Sequence, residues 1–265
     1  MFIKTIFLLI PLLVHSAINF SVQDHEKNYK LIAHRGGVVE DKHAENSIEA
    51  LQEAMKRNYW MIEVDIRETK DGIAITQHDG DFKRFYNHDR KVGEMTLSEI
   101  KKLRSSPGNA SPLTFEELVK MCKGNLHLML DTKEPHSEQF CQQIESVLVK
   151  YDMLSNCYVI GSAMSRKYFL GKAKVGNTYE NLKAIGSNDK ETGNRYFLFE
   201  HGNVLNDEKL LWAKKNDVTV VPSINKFHYR DQSTMMDSAR LDIVRLKKAG
   251  VQEFQIDSEF DRWFN

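Results

Sequence analysis

The stretch Met61-Ile62-Glu63-Val64-Asp65-Ile66, followed by Arg67-Glu68-Thr69-Lys70-Asp71-Gly72-Ile73-Ala74-Ile75-Thr76-Gln77-His78-Asp79, holds a strand, a tight turn and a return arm. Residues 61–66 alternate with period two, which puts Glu63 and Asp65 on one face and Val64 on the other. Asp71-Gly72 is a strong turn signal, and residues 73–75 bring the chain back as a hairpin arm ending at Gln77-His78-Asp79. Two carboxylates on one buried face cost several kcal/mol if left unpaired. Either a hard divalent cation or neighbouring Lys and Arg side chains must neutralise them.

Outward from this segment, short apolar runs alternate with helical patterns. Residues 31–33 read as a buried strand, and Ile48, Leu51 and Met55 then share one helical face. Further strands are expected at 126–130, 158–160, 174–176, 196–199, 218–221 and 253–256. Helices are expected at 114–121, 138–150, 165–170, 207–215 and 236–248. Between 171 and 195 the pattern is weakest. Alternating strands and helices predict a parallel sheet. About eight such repeats fit a closed (β/α)8 barrel of the TIM type better than an open sheet. Residues 79–112, rich in Gly, Asn, Asp and Ser, read as a small insertion after the second strand and its hairpin arm.

The first residues read as an address label. Lys4 precedes the apolar run 5–14, and the small residues Ser16 and Ala17 follow it. This is the pattern of a secretory signal peptide, with cleavage expected near residues 17–22 and export of the remainder, 23–265, as one domain. An uncleaved N-terminal anchor is the alternative. Lys+Arg and Asp+Glu number 37 each, so no basic excess is available to neutralise nucleic acid. Cys122, Cys141 and Cys157 cannot all pair within one chain and sit in apolar segments, as buried free thiols do.

In a barrel of this kind, chemistry gathers where strands end and loops begin. The first strand ends in His34-Arg35-Gly36-Gly37, the second carries Glu63 and Asp65, and the hairpin arm returns His78. Residues 126–130 run into Asp131-Thr132-Lys133, where an acid and a base two apart face the same way. Asp131 completes a three-carboxylate set, and Lys133 can neutralise a bound anion. A lone strand histidine is usually a satisfied core residue. Two of them among three carboxylates, an Arg and a Lys at successive strand ends are not so easily dismissed.

These residues give the chain its likeness. Ala33-His34-Arg35-Gly36-Gly37, Glu45-Asn46-Ser47, Glu63-Val64-Asp65, Thr69-Lys70-Asp71-Gly72, His78-Asp79, Leu113-Thr114-Phe115-Glu116-Glu117-Leu118 and Asp131-Thr132-Lys133 follow one another in a characteristic order. As an ordered set over residues 30–135, the chain resembles the glycerophosphodiester phosphodiesterase family, related to the PLC-like phosphodiesterase barrels. Residues 218–225 and 250–257 agree more weakly.

The resemblance implies a barrel with one divalent cation, Mg²⁺ or Ca²⁺, held by Glu63, Asp65 and Asp131. It implies His34 and His78 as the acid–base pair, and Arg35, Lys133 and Asn225 as contacts to a small phosphodiester substrate. The reaction implied is hydrolysis of a glycerophosphodiester to glycerol 3-phosphate and an alcohol. Two departures stand out. The family usually carries Glu where Asp131 stands, whereas the related sphingomyelinase D toxins use Asp. Pro222-Ser223-Ile224-Asn225 replaces the family's Trp-Thr-Val-Asn, removing a Trp expected to wall the pocket. A lysophospholipase D or sphingomyelinase D-like enzyme with peripheral membrane contact therefore stays open, as does a non-catalytic binding protein on the same barrel. Phe82, Phe85 and Tyr86 either cover the pocket or anchor the insertion. Glu45 and Asn46 either order the first loop or cap the first helix. Glu200 and His201 match no motif.

Overall fold

The alternation of Met61–Glu68 between apolar-outward and polar-inward positions is realised in a closed barrel. A computed structural model describes residues 29–133, 137–185, 191–230 and 234–264. The proposed leader and its cleavage point lie outside the described residues. Eight parallel strands close the barrel: β1 Lys30–Ala33, β2 Met61–Glu68, β3 His127–Thr132, β4 Tyr158–Val159, β5 Lys174–Asn177, β6 Tyr196–His201, β7 Thr219–Ile224 and β8 Glu253–Ile256. Closure is made by β1, which pairs with both β8 (Lys30 opposite Glu253) and β2 (Ile32 opposite Met61). The hairpin arm Ala74–Thr76 lies antiparallel on the far end of β2.

Side-chain parity sorts the strands into an outer and an inner layer. Ile62, Val64, Leu128 and Leu130 pack outward with Leu51, Phe115, Leu118 and Ile144 of the surrounding helices. Ile32, Met61, Met129, Tyr158, Phe197 and Val221 fill the lower interior, where Tyr158 and Phe197 stack at 4.5 Å. The bottom is a packed plug, which leaves the upper ends of the strands for polar groups.

Local capping fixes where the helices begin. Ser47 accepts from the Ala50 amide, and Thr114 and Glu117 form a reciprocal capping box. Ser137, Ser162 and Asn206 do the same service for later helices. Residues 171–195 hold the four-residue β5 and the helices Tyr179–Ile185 and Thr192–Arg195. Between the hairpin arm and helix Phe115–Cys122 the chain builds the pair Asp81–Phe82 and His88–Lys91 and two short helices, Lys83–Tyr86 and Leu97–Ile100. These enclose a small core of Ile75, Phe82, Tyr86, Val92, Met95 and Ile100. Cys122, Cys141 and Cys157 are free and buried, and burial pushes the Cys122 thiol up to about 12.

Candidate active site

Inward-facing polar residues meet at the upper end of the barrel. Asp65 and Asp131 lie opposite one another on β2 and β3, with Glu63 one inward step below Asp65. Carboxylate oxygens of Glu63, Asp65 and Asp131 all lie within 4.8 Å of one another. Glu63 and Asp65 are 1% and 0% exposed. Burial, with the Asp65 charge beside it, pushes Glu63 well above the usual carboxylate range. Burial works on Asp65 in the same direction, but the nearby Lys133 ammonium prevails and holds it low. The Lys133 Nζ stands 2.7 Å from Asp65 Oδ1 and 2.5 Å from Asp131 Oδ2.

Three carboxylates against one ammonium leave a buried excess of negative charge. That donor set fits a hard divalent cation, which favours oxygen ligands. The basic neighbour read as an alternative to the cation is therefore present too, but too small in charge to balance the cluster.

The loop after β1 is folded around this cluster. Arg35 adopts a left-handed backbone (φ 55°), a costly conformation for a residue with a side chain. That turn aims the Arg35 amide at Glu63 Oε2, 2.7 Å away. Gly37 follows because a Cβ there would lie 2.2 Å from the Ala50 carbonyl oxygen. Ser47, not Glu45 or Asn46, caps the first helix. Asn46 instead donates its amide to Asp65 Oδ2 at 2.8 Å, and Glu45 accepts from Arg35 Nη1 at 2.5 Å.

Each candidate catalytic histidine has a carboxylate behind it. His34 Nδ1 is 2.7 Å from Asp257 Oδ1, and the Lys226 amide donates to the other Asp257 oxygen at 2.6 Å. Burial opposes ionisation of Asp257, but the hydrogen bond and charge of His34, together with the Lys226 amide and ammonium, outweigh it and keep the carboxyl low. His78 Nδ1 is 2.7 Å from Asp79 Oδ1, and the His78 hydrogen bond holds Asp79 low as well, over the opposition of burial. An ionised carboxylate can only accept, so Nδ1 carries the proton in both rings and Nε2 is left for chemistry.

Asp257 was legible only as part of the weak 250–257 match. It becomes His34's partner when β8 closes against β1. Arg67, the next inward residue of β2 after Asp65, grips the His78 carbonyl with two N–H groups at 3.0 and 2.7 Å.

A cavity of about 440 Å³ opens beside His34 and Arg35, walled by Val39, His43, Phe85 and Phe227 among others. Pro222 is not one of its walls. It lies within β7 on the side of Val220 and Ile224, which pack under the helices, while Lys226 and Phe227 line the cavity. Asn225, just past the upper end of β7, is 2% exposed, with its amide donated to Ser223 Oγ at 2.9 Å. Of the insertion aromatics, Phe82 and Tyr86 anchor the small core and Phe85 reaches the cavity. Glu200 accepts from the Tyr179 amide and Lys209, while His201 stacks on His228 at 3.6 Å.

Comparison with known proteins agrees with this architecture. A human glycerophosphodiester phosphodiesterase 1 is 26% identical over 140 residues, a match covering 49% of this chain and 41% of that protein. Among solved structures, a glycerophosphoryl diester phosphodiesterase from Parabacteroides distasonis superposes with a TM-score of 0.70 at 20% identity, covering 90% of this chain and 87% of its own. An Oleispira antarctica phosphodiesterase solved with the product sn-glycerol-3-phosphate gives 0.70 at 17% identity, covering 88% and 96%. Residues 34–252 match the glycerophosphoryl diester phosphodiesterase family, and with the barrel and its ordered strand-end motifs in place, the chain belongs to that family.

Proposed function

We propose that this protein hydrolyses glycerophosphodiesters to glycerol 3-phosphate and the free alcohol. The observation that carries the reading is the arrangement of two carboxylate-backed imidazoles with a buried three-acid cluster at one barrel mouth. A Mg²⁺ or Ca²⁺ ion held by Glu63, Asp65 and Asp131 would supply Lewis-acid polarisation of the phosphate.

The chain's own residues do the rest. Asp257 keeps the His34 ring oriented with Nε2 unprotonated, ready to take the proton from the attacking oxygen as that oxygen bonds to phosphorus. His78, held by Asp79, acts as the imidazolium: its Nε2 proton passes to the departing alcohol oxygen as the P–O bond breaks, leaving the neutral Nδ1–H ring. Arg35 and Lys133 balance charge on the non-bridging phosphate oxygens. Asn225 donates its amide to Ser223 and Gln255, and its Oδ1 is the atom left to accept from the substrate. The apolar run at 5–14 supports export of the chain to a compartment where such diesters are met.

The test is choline release from glycerophosphocholine with and without chelator, repeated on His34→Ala and Glu63→Ala and run beside lysophosphatidylcholine and sphingomyelin. Loss of turnover with chelator and in both variants is expected. Faster turnover of an intact lipid would replace the substrate assignment, and inactivity with every divalent cation would leave a binding protein.

A further inference from the structure

The helix Lys83–Tyr86 in the insertion carries a cation that no part of the mechanism above uses. Arg84 donates from Nε to Asp79 Oδ2 at 2.7 Å and from Nη2 to Asp79 Oδ1 at 3.0 Å. The same guanidinium donates to Glu45 Oε1 at 2.6 Å and Oε2 at 2.5 Å. One planar fork thus grips two carboxylates, one from the loop after β1 and one from the loop after the hairpin arm. Glu45 is a firm anchor, its side chain 7% exposed and also held by Arg35. Phe82 and Tyr86 bury into the insertion core on either side of Arg84, and the guanidinium lies 4.7 Å over the Phe85 ring. The Arg84 backbone is therefore placed by the insertion and its guanidinium by Glu45 of the barrel loop.

We propose that Arg84 is a positioning residue for His78: anchored on Glu45, it holds the Asp79 carboxylate in line with the His78 Nδ1–H. The proposal rests on the reading of His78 as the proton donor. It gives the insertion a task in the reaction beyond covering the mouth. A lysine cannot replace this arginine, because a single ammonium has no fixed fork with which to grip both carboxylates. The rival interpretation is a tie that merely fastens the insertion to the barrel.

The experiment compares Arg84→Met, Arg84→Lys and His78→Ala on two diesters of glycerol phosphate. One releases choline, whose oxygen must be protonated as it leaves. The other releases p-nitrophenol, which departs without a proton. Both Arg84 variants are expected to lose about five- to tenfold in kcat on the choline ester and at most about twofold on the nitrophenyl ester. Placed on a His78→Ala background, either change should cost less than about threefold more. Nitrogen-15 spectra recorded at a pH where the imidazoles are neutral should show His78 passing from one Nδ1–H tautomer to a mixture in Arg84→Met.

If Arg84→Met fails to fold, Arg84→Lys and Asp79→Asn carry the same comparison, with thermal melts as the check on folding. Full additivity with His78→Ala, or an unchanged His78 tautomer, overturns the proposal. Should His78→Ala itself fail to distinguish the two esters, the proton-donor reading falls, and the additivity test still judges the link from Arg84 to His78.

Discussion

The two histidines are supported by different parts of the molecule. His34 is braced by the barrel itself, through Asp257 after β8 and the Lys226 amide after β7, and the pair is 10% and 17% exposed at the side chains. His78 stands on the hairpin arm and is braced by its own neighbour Asp79 and by Arg84 of the insertion, with both His78 and Asp79 29% exposed. One support is closed in by strand pairing, the other by longer and more exposed side chains on a small separate core. The barrel corner is built once for the fold, whereas the insertion corner can vary without breaking strand pairing.

The largest effect expected is one that removes the ground common to both corners. Glu63→Gln should lower turnover of glycerophosphocholine at least about 1,000-fold and abolish calorimetric Mg²⁺ or Ca²⁺ binding. Retained binding would separate the cation from the three-acid cluster. Next, Asp257→Asn should reduce kcat by about 100-fold or more, because an amide can no longer enforce the Nδ1–H tautomer of His34. Asp79→Asn should cost less, about tenfold, because its more solvated corner lets water stand in for the carboxylate. Equal losses, measured under the same conditions, would erase the distinction between the corners.

Stability offers a third comparison. Folding lowers the Asp257 pKa. Its contribution is complete above the unfolded value of about 4, and it is lost as pH falls through the lower folded value. Wild type should exceed Asp257→Asn by about 2 kcal/mol at pH 7 in urea unfolding, with the gap closing below about pH 4. A gap independent of pH would show that the carboxylate is not what stabilises this corner. The smallest effects belong to the cavity walls, Phe85 from the insertion and Phe227 from the barrel. Each change to Leu should shift KM by about two- to fivefold and leave kcat nearly unchanged, as loss of uniform binding does.

Much of this was legible locally. The β2 alternation, the turn at Asp71-Gly72 and the acid–base spacing of Asp131 and Lys133 all depend on neighbours in the chain. So do the helices at 138–150 and 207–215, whose Ser137 and Asn206 caps are written beside them. Residues 171–195 were obscure because β5 is only four residues long and includes Gly176, so its place comes from strands on either side. The partnership of His34 and Asp257 spans 223 residues, and no local pattern announces it. Arg84 reads as an ordinary surface cation in a polar insertion until two loops bring carboxylates to it. Pro222 misled because strand parity, not its place in a motif, decides which way a side chain faces.

From its residue order alone, the chain determines an alternating barrel and the chemical types gathered at its strand ends, because periodicity and turn chemistry are properties of adjacent residues. That Asp257 stands behind His34, and that Arg84 grips Asp79 behind His78, was decided only when β8 met β1 and the insertion folded over the mouth. Hydrogen bonds of 2.7 Å between groups far apart in the chain depend on closure of the whole barrel, which no short window of sequence contains.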